Sequence, residues 1–312
     1  MNICQVSLAG NIEIIKENLK KFELYYNDIN IYIVCPEKDF YEFKKQFNKK
    51  NIKIISEDKI IKFDTFKKIA NTFLQQKKYY NEIQNRLGWY YQQVLKISFA
   101  LNFIFEKNEK IIIWDADTIL IKKINFFYEN NSIIYGTTSE YFNAYFKTNK
   151  CIFNELPNYF ISSLCQFSAL TQMDAKNLIN QLEKFETKKT VYSEWIVKVI
   201  FKAICLSHEN YLGSLFSEYE LIGQSKLLSN RKEQKLISGM REGLDGKITK
   251  IQEIILKFFN YSYIAYEHTH QNKLSKGMLN RNQSWLNFLS LLINKSTNKI
   301  FRGLKHFIKL KL

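Results

Sequence analysis

The sequence has 312 residues, of which 46% are hydrophobic and 15% aromatic, and its formal net charge is +16. This length and apolar content exclude an intrinsically disordered chain and allow a full core in one large α/β domain. The sequence contains no basic-then-apolar leader and no run of about 18 apolar residues, so we expect neither a signal peptide nor a membrane span. The five cysteines lack metal or redox spacing, and we expect them to be reduced in a cytoplasmic protein.

The first sixty residues alternate strand and helix patterns. Residues 2–8 and 29–35 are apolar and predict strands, and the apolar spacing of three and four between them predicts a helix. A third short strand is predicted over 52–55. This alternation indicates a largely parallel sheet flanked by helices. In such sheets a nucleotide lies against the loop after the first strand, here 7–11, so Ser7 is a candidate nucleotide-binding residue, with an ordinary turn as the alternative.

A long aromatic helix is predicted from residue 86 to about 105. Gln93 and Lys96 lie on one face of it by the rule of three and four, and Arg86 lies one turn earlier. We expect Lys96 and Arg86 to neutralise a diphosphate and Gln93 to bind a nucleotide or sugar hydroxyl. A solvated polar stripe on an ordinary helix is the alternative.

Two aspartates follow the most strand-like run of the chain, residues 111–114. Ligands of open α/β sheets collect beyond the carboxyl ends of the strands, where Asp115 and Asp117 can hold a divalent cation through hard oxygen ligands. Such a metal would in turn hold phosphate. The alternative is that both residues only cap a turn.

Acidic residues also mark two later helices. Asp174 precedes an apolar helical pattern over 175–184 and is expected to cap that helix. In the stretch 217–220, Ser-x-x-Glu predicts a capping box made by Ser217 and Glu220. The remaining acid, Glu218, is a candidate general base toward an acceptor hydroxyl.

The last part of the chain is basic. No acidic residue follows Glu267, and we expect His268, directly after it, to complete the metal shell of the two aspartates. The end of the chain, 283–312, has the pattern of an amphipathic helix with Arg and Lys opposite its apolar face. That pattern predicts peripheral contact with an anionic membrane, and a helix packed on the catalytic domain is the alternative.

Three stretches in this order, 88–96, 114–118 and 217–220, resemble a family of bacterial glycosyltransferases of the glycosyltransferase-A fold associated with surface polysaccharide and lipopolysaccharide. The resemblance implies a mixed α/β sheet of Rossmann type in a catalytic domain over 1–270, followed by a basic helical extension over 271–312. It implies a UDP- or GDP-sugar donor, Mn²⁺ or Mg²⁺, and a glycan or glycolipid acceptor. Asp117 would be the firmer metal ligand, and Asp115 would contact metal or ribose.

The function implied by this resemblance is transfer of a sugar at the inner face of the cytoplasmic membrane. Departure of the nucleoside diphosphate develops negative charge that a metal and Lys96 would stabilise. Glu218 would serve as base if the reaction inverts configuration, and no base is required there if it retains. A metal-dependent phosphoryl-transfer enzyme or nuclease and a nucleic-acid-binding protein are the alternatives; no recognised nucleic-acid motif is present, so we do not expect a nucleic-acid partner.

Overall fold

A five-stranded sheet flanked by helices forms the centre of the computed structural model, which describes residues 1–137, 140–155, 162–210, 213–229, 234–241, 244, 246–266 and 282–293. The strands are β1 (Asn2–Val6), β2 (Asn30–Cys35), β3 (Ile52–Ser56), β4 (Ile111–Trp114), β5 (Thr118–Leu120), β6 (Phe127–Tyr128), β7 (Asn131–Ser132), β8 (Ile134–Gly136), β9 (Phe167–Leu170), β10 (Gln234–Leu236), β11 (Gly239–Arg241) and β12 (Tyr263–Ala265). The helices are α1 (Ile12–Tyr25), α2 (Phe40–Gln46), α3 (Phe63–Leu74), α4 (Tyr80–Gln84), α5 (Leu87–Lys107), α6 (Asn143–Phe153), α7 (Gln172–Phe185), α8 (Tyr192–Ser207), α9 (Glu218–Leu228) and α10 (Lys250–Phe258).

The central sheet has the order β3-β2-β1-β4-β9. Its first four strands run parallel, with Cys4 of β1 opposite Tyr32 of β2 and Ile113 of β4. The fifth strand, β9, runs antiparallel to β4 and places Phe167 opposite Trp114. The sheet is therefore mixed, and the α/β class predicted from the alternating sequence pattern is confirmed.

Strand β4 is buried on both faces, which explains its unbroken apolar sequence. Ile111 and Ile113 point into one core cluster, while Ile112 and Trp114 point into a second cluster on the other side of the sheet. This division follows from the two-residue period of a strand. Because both faces are covered, the run does not alternate with polar residues, as is usual for strands of parallel sheets.

A second, three-stranded sheet of order β11-β12-β5 extends the fold beyond the end of β4. Ile264 of β12 lies opposite Ile119 of β5, and both belong to a third core cluster that also includes Leu256 of α10. Residues 285–293 are helical and insert Phe288 and Leu292 into the same cluster.

The C-terminal predictions are only partly within the described residues. The described helical turns at 285–293 pack on the fold, while residues 267–281 and 294–312 lie outside the described part, so the boundary near 270 and the extension over 271–312 stay predictions. Across the described residues, no helix is both long and apolar enough to cross a membrane.

Candidate active site

A cavity of about 390 Å³ lies where β4 ends. Its walls come from the segments that follow β1 and β4, from the first half of α5 and from the start of α9. The lining residues are Asn11, Arg86, Trp89, Gln92, Gln93, Lys96, Asp115, Ala116, Asp117, Glu140, Phe142, Tyr145, Leu164, Gln166, Ser214, Ser217, Glu218, Tyr219 and Arg241. The cavity thus brings together candidate residues from three separate stretches of the sequence.

The loop carrying the two aspartates is held by backbone hydrogen bonds on both sides. The N–H of Asp115 donates to the carbonyl of Gln166 (2.9 Å), and the N–H of Thr118 donates to the carbonyl of Asp115 (3.1 Å). The N–H of Tyr266 donates to the carbonyl of Asp117 (2.9 Å). The backbone of the loop is therefore fixed, and the side chain of Asp115 is turned toward residues distant in the sequence.

Asp115 belongs to a buried ion cluster, defined by Lys96, Asp115, Glu218 and Tyr219. The ammonium of Lys96 donates to Asp115 Oδ1, to Glu218 Oε1 (2.6 Å) and to the hydroxyl oxygen of Tyr219 (3.4 Å). The Tyr219 hydroxyl in turn donates to Asp115 Oδ1 (2.5 Å). Because an ammonium has three N–H groups, these contacts account for its full donor capacity.

Burial sets the electrostatics of this cluster, since Lys96 is 4% exposed and Glu218 is 3% exposed. Burial alone lowers the pKa of Lys96, but the carboxylates of Asp115 and Glu218 more than offset this and raise the pKa, so the lysine stays charged. The pKa of Glu218 is raised by burial and by the charge of Asp115, against the opposing effect of Lys96. Burial, with Asp115 and Glu218, also raises the pKa of Tyr219, which therefore remains a neutral donor.

The start of α9 is aligned by side chains of its neighbours. Ser217 is the N-cap and its hydroxyl accepts a long hydrogen bond from the N–H of Glu220 (3.5 Å). The N–H of Glu218 donates to Gln93 Oε1 (3.1 Å), so the amide of α5 satisfies a free donor at this helix end. Gln93 lines the cavity, but this oxygen is used to orient α9; its predicted contact with a nucleotide or sugar stays a prediction.

Glu220 ties α9 to the segment before β9. Its carboxylate accepts hydrogen bonds from the Ser162 hydroxyl and from the N–H of Ser163 (2.9 Å). The predicted capping role of Ser217 is observed, while the carboxylate predicted to complete the box contacts Ser162 and Ser163. One turn further along, a Cβ on Gly223 would lie 1.9 Å from Ser163 Oγ, so the glycine allows the helix to pack directly against this segment.

The guanidinium groups of two arginines also line the cavity. Arg86 precedes α5 and stacks over Trp89, with 5.0 Å from its Cζ to the ring centroid. Arg241, in β11, forms an ion pair with Glu140. Arg86 was predicted from its place before the helix. Arg241 has no motif around it, and the sequence offered no signal for its position.

One predicted site residue does not line this cavity, and another lies outside the described residues. Ser7 is buried directly after β1 and its hydroxyl donates to the carbonyl of Leu8 (3.0 Å); it is not among the lining residues, and Asn11 from the same loop is. The loop after β1 therefore reaches the cavity through a residue that was not predicted. His268 lies outside the described residues, so its role stays a prediction.

The residues that line the cavity offer a limited set of metal ligands. Within the described ranges, no group of three or more His, Cys, Asp or Glu side chains is close enough to hold a metal ion. Both contacts to Asp115 use Oδ1, and among the described residues its Oδ2 accepts no hydrogen bond. A carboxylate pair of this kind fits a cation such as Mg²⁺ that is bound by one or two carboxylates together with substrate phosphates.

Comparisons with known proteins give a likeness in fold. No protein-family model matches the sequence, and no curated protein matches it. Solved structures that resemble it include the galactosyltransferase LgtC in complex with donor and acceptor sugar analogs (TM-score 0.40, 9% identity, 93% of this chain and 95% of that chain covered). An active-site mutant of LgtC has a TM-score of 0.38 and 7% identity, with 94% and 96% covered. Mouse xyloside xylosyltransferase 1 in its apo form has a TM-score of 0.40 and 11% identity, with 85% and 97% covered. These solved structures are glycosyltransferases, and at TM-scores of 0.38 to 0.40 their likeness carries no argument about this chain.

Proposed function

We propose that this protein is a glycosyltransferase that moves a sugar from a nucleotide-sugar donor to a hydroxyl of a glycan acceptor. The observation that carries the proposal is the convergence of Asp115, Asp117 and Glu218 in one cavity at the end of β4. Ligands of open α/β sheets lie in this position, and a donor with a diphosphate supplies the negative oxygens that a metal between carboxylates would hold. The cavity therefore combines a position and a set of side chains that suit such a donor.

The donor end of the cavity is assigned to the two aspartates. Asp117 and Asp115 Oδ2 would hold Mn²⁺ or Mg²⁺, which would supply positive charge to the departing UDP or GDP. Arg86 lines the same cavity and brings a guanidinium suited to phosphate oxygens. The alternative for Asp115 is a contact with the ribose of the donor, which would leave Asp117 as the metal ligand.

The contacts of Lys96 change its proposed role. Its three N–H groups are donated within the ion cluster, so it holds Asp115 and Glu218 in position and has no donor left for a diphosphate in this arrangement. The expectation that Lys96 itself neutralises the diphosphate is replaced here by a positioning role. Its charge still lowers the cost of negative charge at Asp115 and Glu218.

The acceptor end is assigned to Glu218. Its pKa is raised, which brings a carboxylate closer to the pH at which a general base works best. In an inverting reaction Glu218 takes the proton of the acceptor hydroxyl as the oxygen bonds to the anomeric carbon and the nucleoside diphosphate leaves. In a retaining reaction no base is needed at this position.

The acceptor class and the location are part of the same proposal. We assign the acceptor to cell-surface glycan or glycolipid, of the lipopolysaccharide, lipooligosaccharide or capsule type, and the protein to the inner face of the cytoplasmic membrane. The support is the resemblance of the three sequence stretches and the absence of acidic residues after Glu267 in the sequence. Contact with anionic lipid through 283–312 belongs to this assignment.

The experiment that tests the function is a thermal-shift series with UDP, GDP and their sugars, each with and without Mn²⁺, followed by a donor-turnover assay. Ligand binding raises the melting temperature by mass action, so we expect a shift that depends on both metal and base. Asp117→Asn should lose the metal-dependent shift and turnover, while Asp64→Asn, at an exposed position in the first turn of α3, should retain both. Full turnover in the Asp117→Asn variant would disprove the metal assignment. Hydrolysis of nucleotides without any sugar transfer would instead favour a phosphoryl-transfer enzyme.

A further inference from the structure

Helix α10 turns apolar side chains away from the fold, which is the reverse of an ordinary surface helix. Ile251 is 62% exposed, Ile254 is 64% exposed and Phe258 is 84% exposed. At 100° per residue these three positions fall within about 60° of each other and form one line along the helix. The side facing the core carries Gln252 and Leu256. We call the three outward residues the α10 stripe.

The helical turns at 285–293 repeat this arrangement. Phe288 and Leu292 are buried, while Leu286 is 85% exposed, Leu289 is 44% exposed and Ile293 is 61% exposed. The outward residues have the same spacing of three and four as the α10 stripe, and we call them the C-terminal stripe. Surface helices normally bury such a row, so two outward rows on neighbouring elements indicate a surface that is covered by something else.

The two stripes belong to one rigid part of the fold. Leu256 of α10 and Phe288 belong to the same core cluster. The Gln252 side chain donates to the carbonyl of Gln283 (3.2 Å), and the N–H of Gln283 donates to the carbonyl of Lys247 (2.8 Å). Both elements are thus anchored to each other just before the second helix begins, so the two stripes are carried by one packed unit.

The charges beside the α10 stripe are basic. Lys250 and Lys257 lie together along one border of the stripe, and both are exposed. The acid on this helix, Glu253, is neutralised by Lys21 (2.6 Å) and by Lys257 (2.8 Å). Lys247, just before the helix, pairs with Glu17 (3.0 Å). Apolar rows bordered by lysine match a bilayer surface, where apolar side chains enter the acyl boundary and ammonium groups contact anionic headgroups.

We propose that α10, together with the 285–293 helix, is a docking surface for an anionic lipid bilayer. The surface includes a helix well before the basic tail, so it goes beyond contact through 283–312, and it does not depend on the transferase activity. The α10 stripe would insert into the interface, and Lys250 would contact the lipid phosphates.

The test measures binding of the full-length protein to vesicles by sedimentation, with neutral phosphatidylcholine vesicles compared with vesicles that also contain phosphatidylglycerol. The variant is Ile251→Ser/Ile254→Ser/Phe258→Ser. The matched control is Tyr41→Ser/Val191→Ser/Leu206→Ser, which removes three exposed apolar side chains (80%, 63% and 65%) from other parts of the surface. Circular dichroism and melting temperature confirm that both variants are folded.

We expect the wild type to bind anionic vesicles more tightly than neutral ones, the stripe variant to bind at least about tenfold more weakly, and the control to bind like the wild type. Equal binding by the stripe variant and the wild type would overturn the proposal, because other residues would then suffice. Absence of wild-type binding would overturn it as well.

A second measurement identifies any other occupant of the surface. An environment-sensitive fluorophore at Ile254→Cys should report a polar environment in solution and an apolar one after anionic vesicles are added. An apolar signal without vesicles that grows with protein concentration would show that a second copy covers the stripe. An apolar signal that is independent of concentration would show that this chain covers it, and either result would overturn the proposal.

Discussion

The pKa values of two buried carboxylates, Asp174 and Glu218, are shifted in opposite directions in this protein. Asp174 at the start of α7 is 2% exposed and accepts from the N–H of Thr171 (2.8 Å), the Thr171 hydroxyl (2.7 Å) and the Ser132 hydroxyl (2.7 Å). Burial raises its pKa, but Lys226, Thr171 and Ser132 reverse this, and the net pKa is lowered. The helix begins at Gln172 with Thr171 as its N-cap, so the prediction that Asp174 itself caps the helix is wrong in position; Asp174 lies inside the first turn and completes the capping box of Thr171.

Glu218 is equally buried but shares one ammonium with a second acid. Burial and the charge of Asp115 raise its pKa, and Lys96 does not reverse this because it serves Asp115 at the same time. A buried carboxylate with a structural role accepts several hydrogen bonds, as Asp174 does, and its pKa is lowered. A buried carboxylate that has a raised pKa and lines a cavity is a candidate catalytic group.

The largest effect is expected for Lys96→Met, which removes the cation between two buried carboxylates. We expect a loss of about 3–5 kcal/mol in the free energy of unfolding, measured by denaturant titration, because both acids are left without their partner. The control is Lys202→Met, whose pair with Glu186 is about one-third exposed on each side and should cost at most about 1 kcal/mol. The double variant Lys96→Met/Glu218→Gln should recover part of the stability, because one of the two unpaired charges is removed. No recovery would contradict the claim that Asp115 and Glu218 share the ammonium of Lys96.

Glu218→Gln removes the acid with the raised pKa. If Glu218 is the base, we expect sugar transfer to fall by about 10²–10⁴. Its raised pKa also means that the folded wild type loses stability as pH rises from the ordinary value of 4.5 through the folded pKa, since ionisation is then more costly in the folded state. The variant should lack this loss. A melting-temperature profile across pH that is the same in both proteins would argue against the electrostatic assignment.

Asp174→Asn tests the other carboxylate and should act on stability alone. We expect about 1–3 kcal/mol of destabilisation at neutral pH, with kcat for transfer unchanged. Because the folded pKa of Asp174 is lowered, its contribution is present above the ordinary value of 3.8 and is lost as pH falls through the folded pKa. The variant should therefore show a flatter acid limb in its stability profile. A fall in kcat at unchanged stability would contradict the structural role.

The smallest effect on stability is expected for Tyr219→Phe, which removes one donor to Asp115. We expect a cost of about 1 kcal/mol and a lower metal-dependent transfer rate, because Asp115 loses part of its orientation. Tyr91→Phe is the matched control, since this buried hydroxyl on α5 donates to the carbonyl of Ile61 (2.5 Å) away from the cavity. It should cost similar stability without changing transfer. Equal effects of the two variants on the transfer rate would contradict the role of Tyr219 in orienting Asp115.

Much of the fold was accessible from the sequence because local patterns dominate it. The apolar run 111–114 and the helical spacing after residue 86 correspond to β4 and α5 as predicted. The boundaries moved by a few residues: the first strand was predicted over 2–8 and ends at Val6. The antiparallel pairing of β9 was not predicted, because a four-residue strand contains no information on the direction of its neighbour.

The residues of the candidate site could be predicted from the sequence, but the contacts among their side chains could not. Asp115, Lys96 and Glu218 were each selected from their own local context. Their contact depends on partners that are 19 and 122 positions from Lys96 in the chain, which spacing rules cannot reach. Tyr219 was overlooked as a participant although it lies between two acids at a helix start. That setting was the signal that could have found it.

The contact at Gly223 makes the candidate site sensitive to a change at a residue that does not line the cavity. Position 223 has no room for a methyl group, since the added carbon would lie 1.9 Å from Ser163 Oγ and 2.6 Å from Ser163 Cβ, and rotation of the serine side chain does not move its Cβ. An alanine would have to push α9 away from its neighbour, and a shift of about 1 Å would stretch the 2.6 Å bond between Glu218 and Lys96 beyond hydrogen-bonding range. In a saturation scan for activity, Gly223 should therefore tolerate replacement as poorly as Asp115 and Glu218 do. Variants selected for altered acceptors should retain this glycine.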